Sequence, residues 1–402
     1  MFLLLFLTLV NSLHPIVLIP GSFRSRLHVT SSRRAGWYCP KFANDTFVFI
    51  NMKYFIPPFL NCFLDWMTVD YNETTNSQQS REGVDVHPED FGGISDVTVT
   101  GPYFLRYFFS YMWRMVNKFI EYGYVPKKDL FAAPYDWRFG ADMPESYYNS
   151  LRELIEKAYK LNNNTKVAIV AHSLGSQLAH IFLTEKTTPE WRKQYINSTT
   201  LIAPSWSGSG TSINTLLRIE SALVQFFRPR GVTEFTCTLG TLHIHMPHSL
   251  AYANTTLIID PDGNEYKAPQ LVDFLVKNKK LTERQLKIAE KNYFYTRRYP
   301  KPLDVPTNIL FNSGIKTTLG MKLASWRGFG SAITQKGDGL VGSAVIEWVI
   351  KNWKMNETFQ YHDMNSSYRK FKHKNLLSAP ECLEIVCNWL MLNKTVGKGD
   401  EL

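Results

Sequence analysis

The feature that most constrains the fold is a strand, a sharp turn and a helix in direct succession. Val167 to Val170 is a short apolar run typical of a buried strand. Ala171-His172-Ser173-Leu174-Gly175 follows, with small residues two positions before and after the serine. Small residues are required there because the turn brings strand and helix close together. Apolar residues then recur at helical spacing: Leu174, Leu178, Ile181 and Phe182. The pattern predicts a nucleophile elbow with Ser173 at its tip.

Strands and helices alternate along the rest of the chain, which predicts an α/β fold. Strands are predicted at Ile16 to Ile19, Ile309 to Phe311 and Thr358 to His362, and helices at Phe104 to Tyr122 and Ser146 to Leu161. The last helix is predicted to begin near Ser378, where an early proline and a glutamate suggest a capping box: Ser378-Ala379-Pro380-Glu381. A polar turn at Asn162-Asn163-Asn164 separates the second helix from the strand before the elbow.

Between residues 205 and 300 the pattern loosens, with glycine and serine clusters and no fixed repeat. We expect an inserted cap there. It carries a basic run that is typical of a solvated helix face, with a docking patch as the alternative. The run consists of Lys277, Lys279, Lys280, Arg284, Lys287, Lys291, Arg297 and Arg298.

A serine at its ordinary pKa is a poor nucleophile, so Ser173 needs a histidine base and an acid to orient that base. In this fold the acid and then the histidine follow the serine in the chain. Asp338, in the turn Gly337-Asp338-Gly339, suits the acid, and both His362 and His373 follow it. We favour His373, which lies a short connection before the last helix. His362 ends a predicted strand beside Asp363, with which it could pair.

Other histidines are assigned no catalytic role. His172 precedes the nucleophile, but its side chain leaves the turn in another direction, so we expect it to pack. His243, His245 and His248 are closely spaced but lack a nearby carboxylate or cysteine, so we do not expect a zinc site. Serine chemistry requires neither a metal nor another cofactor.

Composition limits the class of protein. A chain of 402 residues with 44% hydrophobic content can bury a large core, which excludes intrinsic disorder and a small disulfide scaffold. The net charge of +10 favours anionic partners, lipid or nucleic acid, without deciding between them. No nucleic-acid motif accompanies the charge, so no nucleic-acid partner is predicted.

The two ends of the chain indicate a secretory route. Residues 1–12 are predicted to be a signal peptide, because an apolar run from Met1 to Val10 precedes Asn11-Ser12, with a buried strand as the alternative. The mature domain would be residues 13–402. The last four residues, Gly-Asp-Glu-Leu, approximate a retention signal for the endoplasmic reticulum. We expect the protein to lie in the lumen of the endoplasmic reticulum, or to be secreted or endolysosomal. Eight glycosylation sequons fit this route: Asn44, Asn72, Asn163, Asn197, Asn254, Asn356, Asn365 and Asn393.

Five segments carry a family resemblance. They are His14 to Gly21, Ala133-Pro134-Tyr135-Asp136-Trp137-Arg138, the Ser173 elbow, Gly337-Asp338-Gly339, and His373 followed by Leu376-Leu377. On these segments the chain resembles the lecithin:cholesterol acyltransferase family, including its lysosomal phospholipase A and transacylase branch. The resemblance implies an α/β-hydrolase fold and carries catalytic roles onto Ser173, Asp338 and His373. The pair Asp136 and Arg138 is interpreted as a structural clamp.

The resemblance also implies further site features. The oxyanion hole would use the backbone N–H of Leu174, as the fold requires, and by resemblance that of Ser22. A lid at residues 37–66 would be closed by a Cys39 to Cys62 disulfide, with Trp37 and Tyr38 touching a membrane. The alternative is that the aromatic side chains of this segment pack against the core. They include Phe42, Phe47, Phe49, Tyr54, Phe55 and Phe59.

Two departures from the family pattern leave the acyl acceptor open. Ala171 replaces the first glycine of the elbow, and no cysteines lie near Leu310 and Val349, where the plasma branch has a second disulfide. The resemblance implies a serine-dependent phospholipid acyl hydrolase and O-acyltransferase, acting on a phospholipid membrane or lipoprotein surface. Water or a lipid alcohol, such as a sterol, would accept the acyl group. The alternative is an inactive lipid-binding or transfer protein on a hydrolase scaffold. The oligomeric state is not indicated.

Overall fold

A computed structural model describes most of the chain. The described residues are 13–102, 106–217, 232–279, 281–326, 328–353 and 358–392. The predicted signal peptide, the carboxyl-terminal Gly-Asp-Glu-Leu and the sequons at Asn356 and Asn393 lie outside them.

The described residues form a mixture of strands and helices, with an insertion between the strand that ends at Ile202 and the strand that begins at Thr307. The strands are β1 (Ile16–Ile19), β2 (Leu27–Ser31), β3 (Ala43–Phe49), β4 (Val69–Asn72), β5 (Ser77–Ser80), β6 (Val84–His87), β7 (Leu130–Ala132), β8 (Val167–His172), β9 (Ile196–Ile202), β10 (Thr256–Ile259), β11 (Glu265–Lys267), β12 (Thr307–Phe311), β13 (Gly314–Ser325), β14 (Gly328–Asp338) and β15 (Phe359–Asp363). The α-helices are α1 (Leu60–Met67), α2 (Ser95–Thr98), α3 (Arg106–Phe109), α4 (Trp113–Glu121), α5 (Glu145–Leu161), α6 (Leu174–Glu185), α7 (Pro189–Tyr195), α8 (Gly210–Leu217), α9 (Val232–Thr238), α10 (Gly240–Ile244), α11 (Leu271–Lys279), α12 (Glu283–Tyr293), α13 (Ala344–Asn352) and α14 (Pro380–Trp389).

Six strands form the central sheet, in the order β15-β12-β9-β8-β1-β7, and every neighbouring pair is parallel. A parallel sheet must be covered on both faces, and β1 shows this directly. Val17 and Ile19 enter one hydrophobic core with α5 and α6, whereas Ile16 and Leu18 enter a second core with α4 and α14. The predicted α/β-hydrolase fold is confirmed, with the elbow at the carboxyl end of β8.

The region between β9 and β12 holds helices α8 to α12 and a smaller sheet. That sheet has the order β11-β10-β13-β14, so it joins the insertion to a long hairpin returning from the central sheet. Three members of the basic run pair with carboxylates outside the insertion: Arg284 of α12 with Asp70, Lys287 of α12 with Glu73, and Arg298, beyond α12, with Glu185. These ion pairs tie the insertion to the rest of the molecule.

The prediction of a single helix from Phe104 to Tyr122 is wrong. The described part forms α3 and α4 with a break between them, and Phe104 itself lies outside the described residues. At the break the backbone N–H of Tyr111 donates to the carbonyl of Thr98 at 2.9 Å, and that of Met112 donates to Val97 at 3.0 Å. Long-range backbone hydrogen bonds therefore replace the helical ones, and the chain turns at Tyr111.

The capping box predicted for the last helix is also wrong. Helix α14 begins at Pro380 with Ala379 as its N-cap, and no side chain caps it. Ser378 Oγ instead donates to the carbonyl of Asn375 at 3.1 Å, and Glu381 pairs with Lys370. The early proline is placed as predicted. Among the described helices, none is both long and apolar enough to cross a bilayer.

Candidate active site

Ser173 sits at the turn between β8 and α6 with a backbone φ of +56°, a conformation that few residues other than glycine adopt. Its N–H donates to the carbonyl of Ile202 at 2.9 Å, which fixes the turn to the neighbouring strand. Close packing explains Gly175, because a Cβ there would lie 2.3 Å from the carbonyl oxygen of Pro20. Ala171, in place of the usual glycine, is fully buried within β8. The strand therefore accommodates a methyl group at this position.

Three side chains predicted from sequence are joined by hydrogen bonds. His373 Nε2 lies 2.9 Å from Ser173 Oγ, and its Nδ1 lies 2.6 Å from Asp338 Oδ2. With Nδ1–H donating to the carboxylate, Nε2 is free to accept the serine proton. All three side chains are buried. His362, the alternative base, is exposed, and Asp363 bonds instead to the N–H and hydroxyl of Ser313 at 2.9 and 2.5 Å.

The carboxylate of Asp338 is held by its own turn. Its Oδ1 accepts the backbone N–H groups of Leu340 at 3.0 Å and Val341 at 2.8 Å, which leaves Oδ2 for His373. The turn ends β14, the second strand of the long hairpin that returns from the central sheet. Asp338 therefore reaches the site through the hairpin rather than from a strand of the main sheet.

Tyr111 and His172 form a second chain of hydrogen bonds behind the base. The Tyr111 hydroxyl donates to His172 Nδ1 at 2.5 Å, and His172 Nε2–H donates to the backbone carbonyl of His373 at 3.1 Å. Burial, followed by the nearby His373, lowers the pKa of His172 well below its usual value, so its ring is neutral. The purely packing role expected for His172 is thus incomplete: it also holds the backbone of His373.

The same tyrosine reaches the loop after β1. The N–H of Gly21 donates to the Tyr111 hydroxyl at 2.9 Å, and a Cβ at Gly21 would lie 2.9 Å from the Cβ of Ser173. The backbone N–H of Gly21 therefore already has a hydrogen-bond acceptor. Ser22, next in the chain, lines the cavity beside the nucleophile. Leu174 is the first residue of α6, and the first N–H groups of a helix have no partner within it.

A cavity of about 340 Å³ opens onto Ser173, His373 and Asp338. One wall comes from the loop after β1, and another comes from the insertion. The insertion contributes mainly small hydroxyl side chains, with one apolar residue and one histidine: Ser209, Thr211, Ser212, Thr215, Leu242 and His245. The predicted cap region thus supplies part of the cavity wall.

The segment predicted as a lid has a disulfide and an exposed apolar surface. The disulfide joins Cys39 to Cys62, as predicted. Trp37 is 83% exposed and Phe42 is 63% exposed, whereas Tyr54 is buried against Trp66. Core packing therefore holds for Tyr54 but not for Trp37 and Phe42, whose contact with a membrane stays a prediction. The described lining of the catalytic cavity includes none of residues 37–66.

Arg138 is fully buried and forms the clamp expected of it. Its guanidinium donates to both carboxylate oxygens of Asp136, to the carbonyl of Trp66 at 3.1 Å and to Ser80 Oγ at 2.7 Å. It therefore ties α1 and β5 to the sheet. The three clustered histidines each donate to a different backbone carbonyl, those of Cys237, Thr241 and Arg298: His243, His245 and His248 respectively.

Residues 45–282 match the family model for lecithin:cholesterol acyltransferase, which is more than half of the chain. The chain belongs to the lecithin:cholesterol acyltransferase family. The resemblance drawn from the motifs is thereby confirmed.

Enzymes from several organisms align with the chain. "Lysosomal phospholipase A and acyltransferase" of Homo sapiens is 28% identical over 223 residues, covering 55% of this chain and 53% of that protein. The same enzyme of Canis lupus familiaris is 28% identical over 223 residues, with coverage of 55% and 54%. "Phosphatidylcholine-sterol acyltransferase" of Gallus gallus is 28% identical over 259 residues, with coverage of 64% and 62%. The chain thus spans about half the length of the mammalian lysosomal relatives.

Proposed function

We propose that this chain is a serine-dependent acyl hydrolase and O-acyltransferase of glycerophospholipids. The observation that carries the proposal is the hydrogen-bonded chain from Ser173 through His373 to Asp338, at the mouth of a cavity in a member of this family. We assign Ser173 as nucleophile, His373 as base and Asp338 as the group that orients the base.

The proposed reaction proceeds through an acyl-enzyme. Ser173 Oγ attacks the carbonyl carbon of a fatty-acyl ester while His373 Nε2 takes its proton. The oxyanion accepts hydrogen bonds from the backbone N–H groups of Ser22 and Leu174. His373 then gives the proton to the departing lysophospholipid oxygen. Water or a lipid alcohol, deprotonated by the same nitrogen, next attacks the acyl-enzyme, and Ser173 is regenerated. The residues of this chain suffice, and no cofactor is invoked.

Contact with a lipid surface is assigned to the disulfide-bonded segment around Trp37, Tyr38, Cys39 and Cys62. Exposed apolar side chains gather there, and aromatic rings suit the interfacial depth of a bilayer. The exposed set is Trp37, Phe42, Met52, Phe55 and Ile56. Lys53 lies 4.7 Å from the ring centre of Phe59, so a cation also accompanies the aromatics. We place the protein at a phospholipid membrane or lipoprotein surface within the secretory pathway, with retention in the endoplasmic reticulum as the finer proposal.

Trp37→Ala is expected to lower the rate on phospholipid vesicles by about tenfold or more, because the interfacial burial of one large side chain is worth roughly 1.5–3 kcal/mol. Hydrolysis of a short soluble ester is the comparison, since it needs no lipid surface. Trp326→Ala removes a half-exposed tryptophan at the turn of the β13–β14 hairpin, away from the disulfide-bonded segment, and serves as the control. Equal losses on vesicles and soluble ester would contradict the surface role.

Transfer of the acyl group to a lipid alcohol is expected to compete with hydrolysis when vesicles contain a hydrophobic alcohol. An acyl-enzyme in a water-poor site is resolved by whichever hydroxyl reaches the ester first. Acylated alcohol should therefore appear as free fatty acid falls, with total deacylation similar if acylation limits the rate. Lipid products would be separated after incubation with sterol, ceramide or diacylglycerol in turn. Fatty acid and lysophospholipid alone, with all three acceptors, would reduce the proposal to a phospholipase.

An inactive lipid-binding protein on the same scaffold is the competing function. The close contacts of His373 with both Ser173 and Asp338 disfavour it, because a scaffold without catalysis has no need of that alignment. Covalent labelling by a fluorophosphonate, lost in Ser173→Ala, would support catalysis. Absence of labelling in the folded protein would favour lipid binding alone.

A further inference from the structure

Three cationic side chains line the catalytic cavity: Arg24, Lys372 and Lys374. Arg24 comes from the loop after β1 that also carries Ser22, and the two lysines flank His373. The guanidinium carbon of Arg24 lies 5.3 Å from the ring centre of Tyr111, and Lys374 is close enough for Arg24 to lower its pKa, after the larger effect of partial burial. Like charges have thus been brought together beside the nucleophile.

None of the three cations is neutralised by the described residues. The one carboxylate among the described cavity-lining residues is that of Asp338, and it is bonded to His373 and to its own turn. In contrast, the basic side chains Arg284, Lys287 and Arg298 of the insertion each pair with a carboxylate. Arg24 and Lys374 are half-buried, whereas Lys372 is exposed. Holding an unpaired cation at a half-buried position costs free energy unless a ligand supplies the opposite charge.

The positive wall continues into a second cavity of about 500 Å³. This cavity shares Tyr111 and Lys374 with the first, and Arg106 and Arg114 also line it. No acidic side chain of the described part of the chain contributes to its lining. The two cavities meet at Lys374, which places a cation between the reacting serine and the adjoining space.

We propose that Arg24, Lys372 and Lys374 form a subsite for the phosphate of a glycerophospholipid with a net negative headgroup. This inference rests on the proposed function and names its substrate class: phospholipids such as phosphatidylglycerol rather than the zwitterionic phosphatidylcholine. Arginine and lysine both bind phosphate oxygens through charge-assisted hydrogen bonds. A choline headgroup brings its own cation, which the clustered positive charges would repel.

The test uses dihexanoyl phosphatidylglycerol and dihexanoyl phosphatidylcholine below their critical micelle concentrations, so that no lipid surface is present. We expect kcat/KM to be about tenfold or more higher for the anionic lipid, as one well-placed charge interaction of ordinary strength allows. The double variant R24Q/K374Q should lower the ratio of the two kcat/KM values toward one. K157Q/K160Q removes the same charge from the exposed face of α5 and should leave the ratio as it is.

Binding to Ser173→Ala protein, measured by calorimetry, separates the subsite from the reaction. If the anionic lipid binds more tightly than the zwitterionic lipid, and R24Q/K374Q abolishes this difference, the subsite is supported. This holds even if the unaltered protein hydrolyses neither lipid. The proposed function would then fail while the subsite stands. A kcat/KM ratio near one in the unaltered protein, or a ratio unaffected by R24Q/K374Q, would overturn the subsite. Inorganic phosphate and glycerol 3-phosphate are titrated alongside. If free phosphate binds as tightly as the anionic lipid, the site recognises phosphate and not a lipid headgroup.

Discussion

His373→Ala is expected to lower turnover of a phospholipid ester by roughly three orders of magnitude or more, as loss of a triad histidine does in other serine hydrolases. The reason is geometric, because Nε2 of this ring lies 2.9 Å from Ser173 Oγ. Without it the hydroxyl has no acceptor for its proton. Initial rates on mixed micelles, at matched concentrations of folded protein, provide the measurement.

His362→Ala is the matched control for that experiment. His362 also follows Asp338 in the chain, but it is exposed on β15, and Asp363 is engaged by Ser313. We expect a change of no more than a few-fold, typical of a surface substitution away from a site. Melting temperatures of both variants would show that the fold is retained. A larger loss from His362→Ala than from His373→Ala would refute the assignment of the base.

The candidate residues were predictable because each has a local signature. Small residues around Ser173 mark a sharp turn, glycines flank Asp338, and His373 precedes a helix that begins with a proline. These signals arise from backbone sterics, which act over a few residues. The strand Ile16–Ile19 was predicted for a similar reason, as was the part of Thr307–Phe311 from Ile309 to Phe311, since both are short apolar runs of a fully buried sheet.

Tyr111 was missed because nothing local marks it. It lies within a run of helical periodicity that predicts a continuous helix, and only backbone bonds to Thr98 and Val97 stop the helix there. Those partners come from another segment, so tertiary contacts override the local pattern. The break turns the Tyr111 hydroxyl toward Gly21 and His172. The position of Tyr111, between the loop after β1 and His172, therefore depends on tertiary packing, which helical periodicity in the sequence does not reveal.

The β13–β14 hairpin was missed although its alternation is readable. Thr317, Leu319, Met321 and Leu323 are buried, whereas Lys316, just before them, and Lys322, between Met321 and Leu323, are exposed. An alternating pattern of this kind indicates a half-buried strand. The sequence placed Asp338 in a turn without revealing the hairpin. The hairpin nevertheless carries that turn to His373.

Stability is expected to fall steeply below about pH 6.5, because several histidines are buried as neutral rings. Burial lowers the pKa of each of four to about 4: His180, His243, His245 and His248. As the pH falls from 6.5 toward 4, the unfolded chain binds protons that the folded chain does not, so the free energy of unfolding decreases. Each such histidine contributes on the order of 1–2 kcal/mol of this loss by pH 5. Denaturant unfolding at pH 7.5 and pH 5 measures it.

His243 isolates the effect, because burial dominates the lowering of its pKa and a hydrogen bond to the carbonyl of Cys237 opposes it only weakly. His243→Gln should shrink the difference in unfolding free energy between pH 7.5 and pH 5 by about 1–2 kcal/mol, whatever it costs at pH 7.5. His362→Gln, at an exposed site, should leave the difference unchanged. Equal unfolding free energies at the two pH values would contradict the prediction. A steep loss that His243→Gln reduces would confirm that the ring of His243 stays neutral in the folded chain.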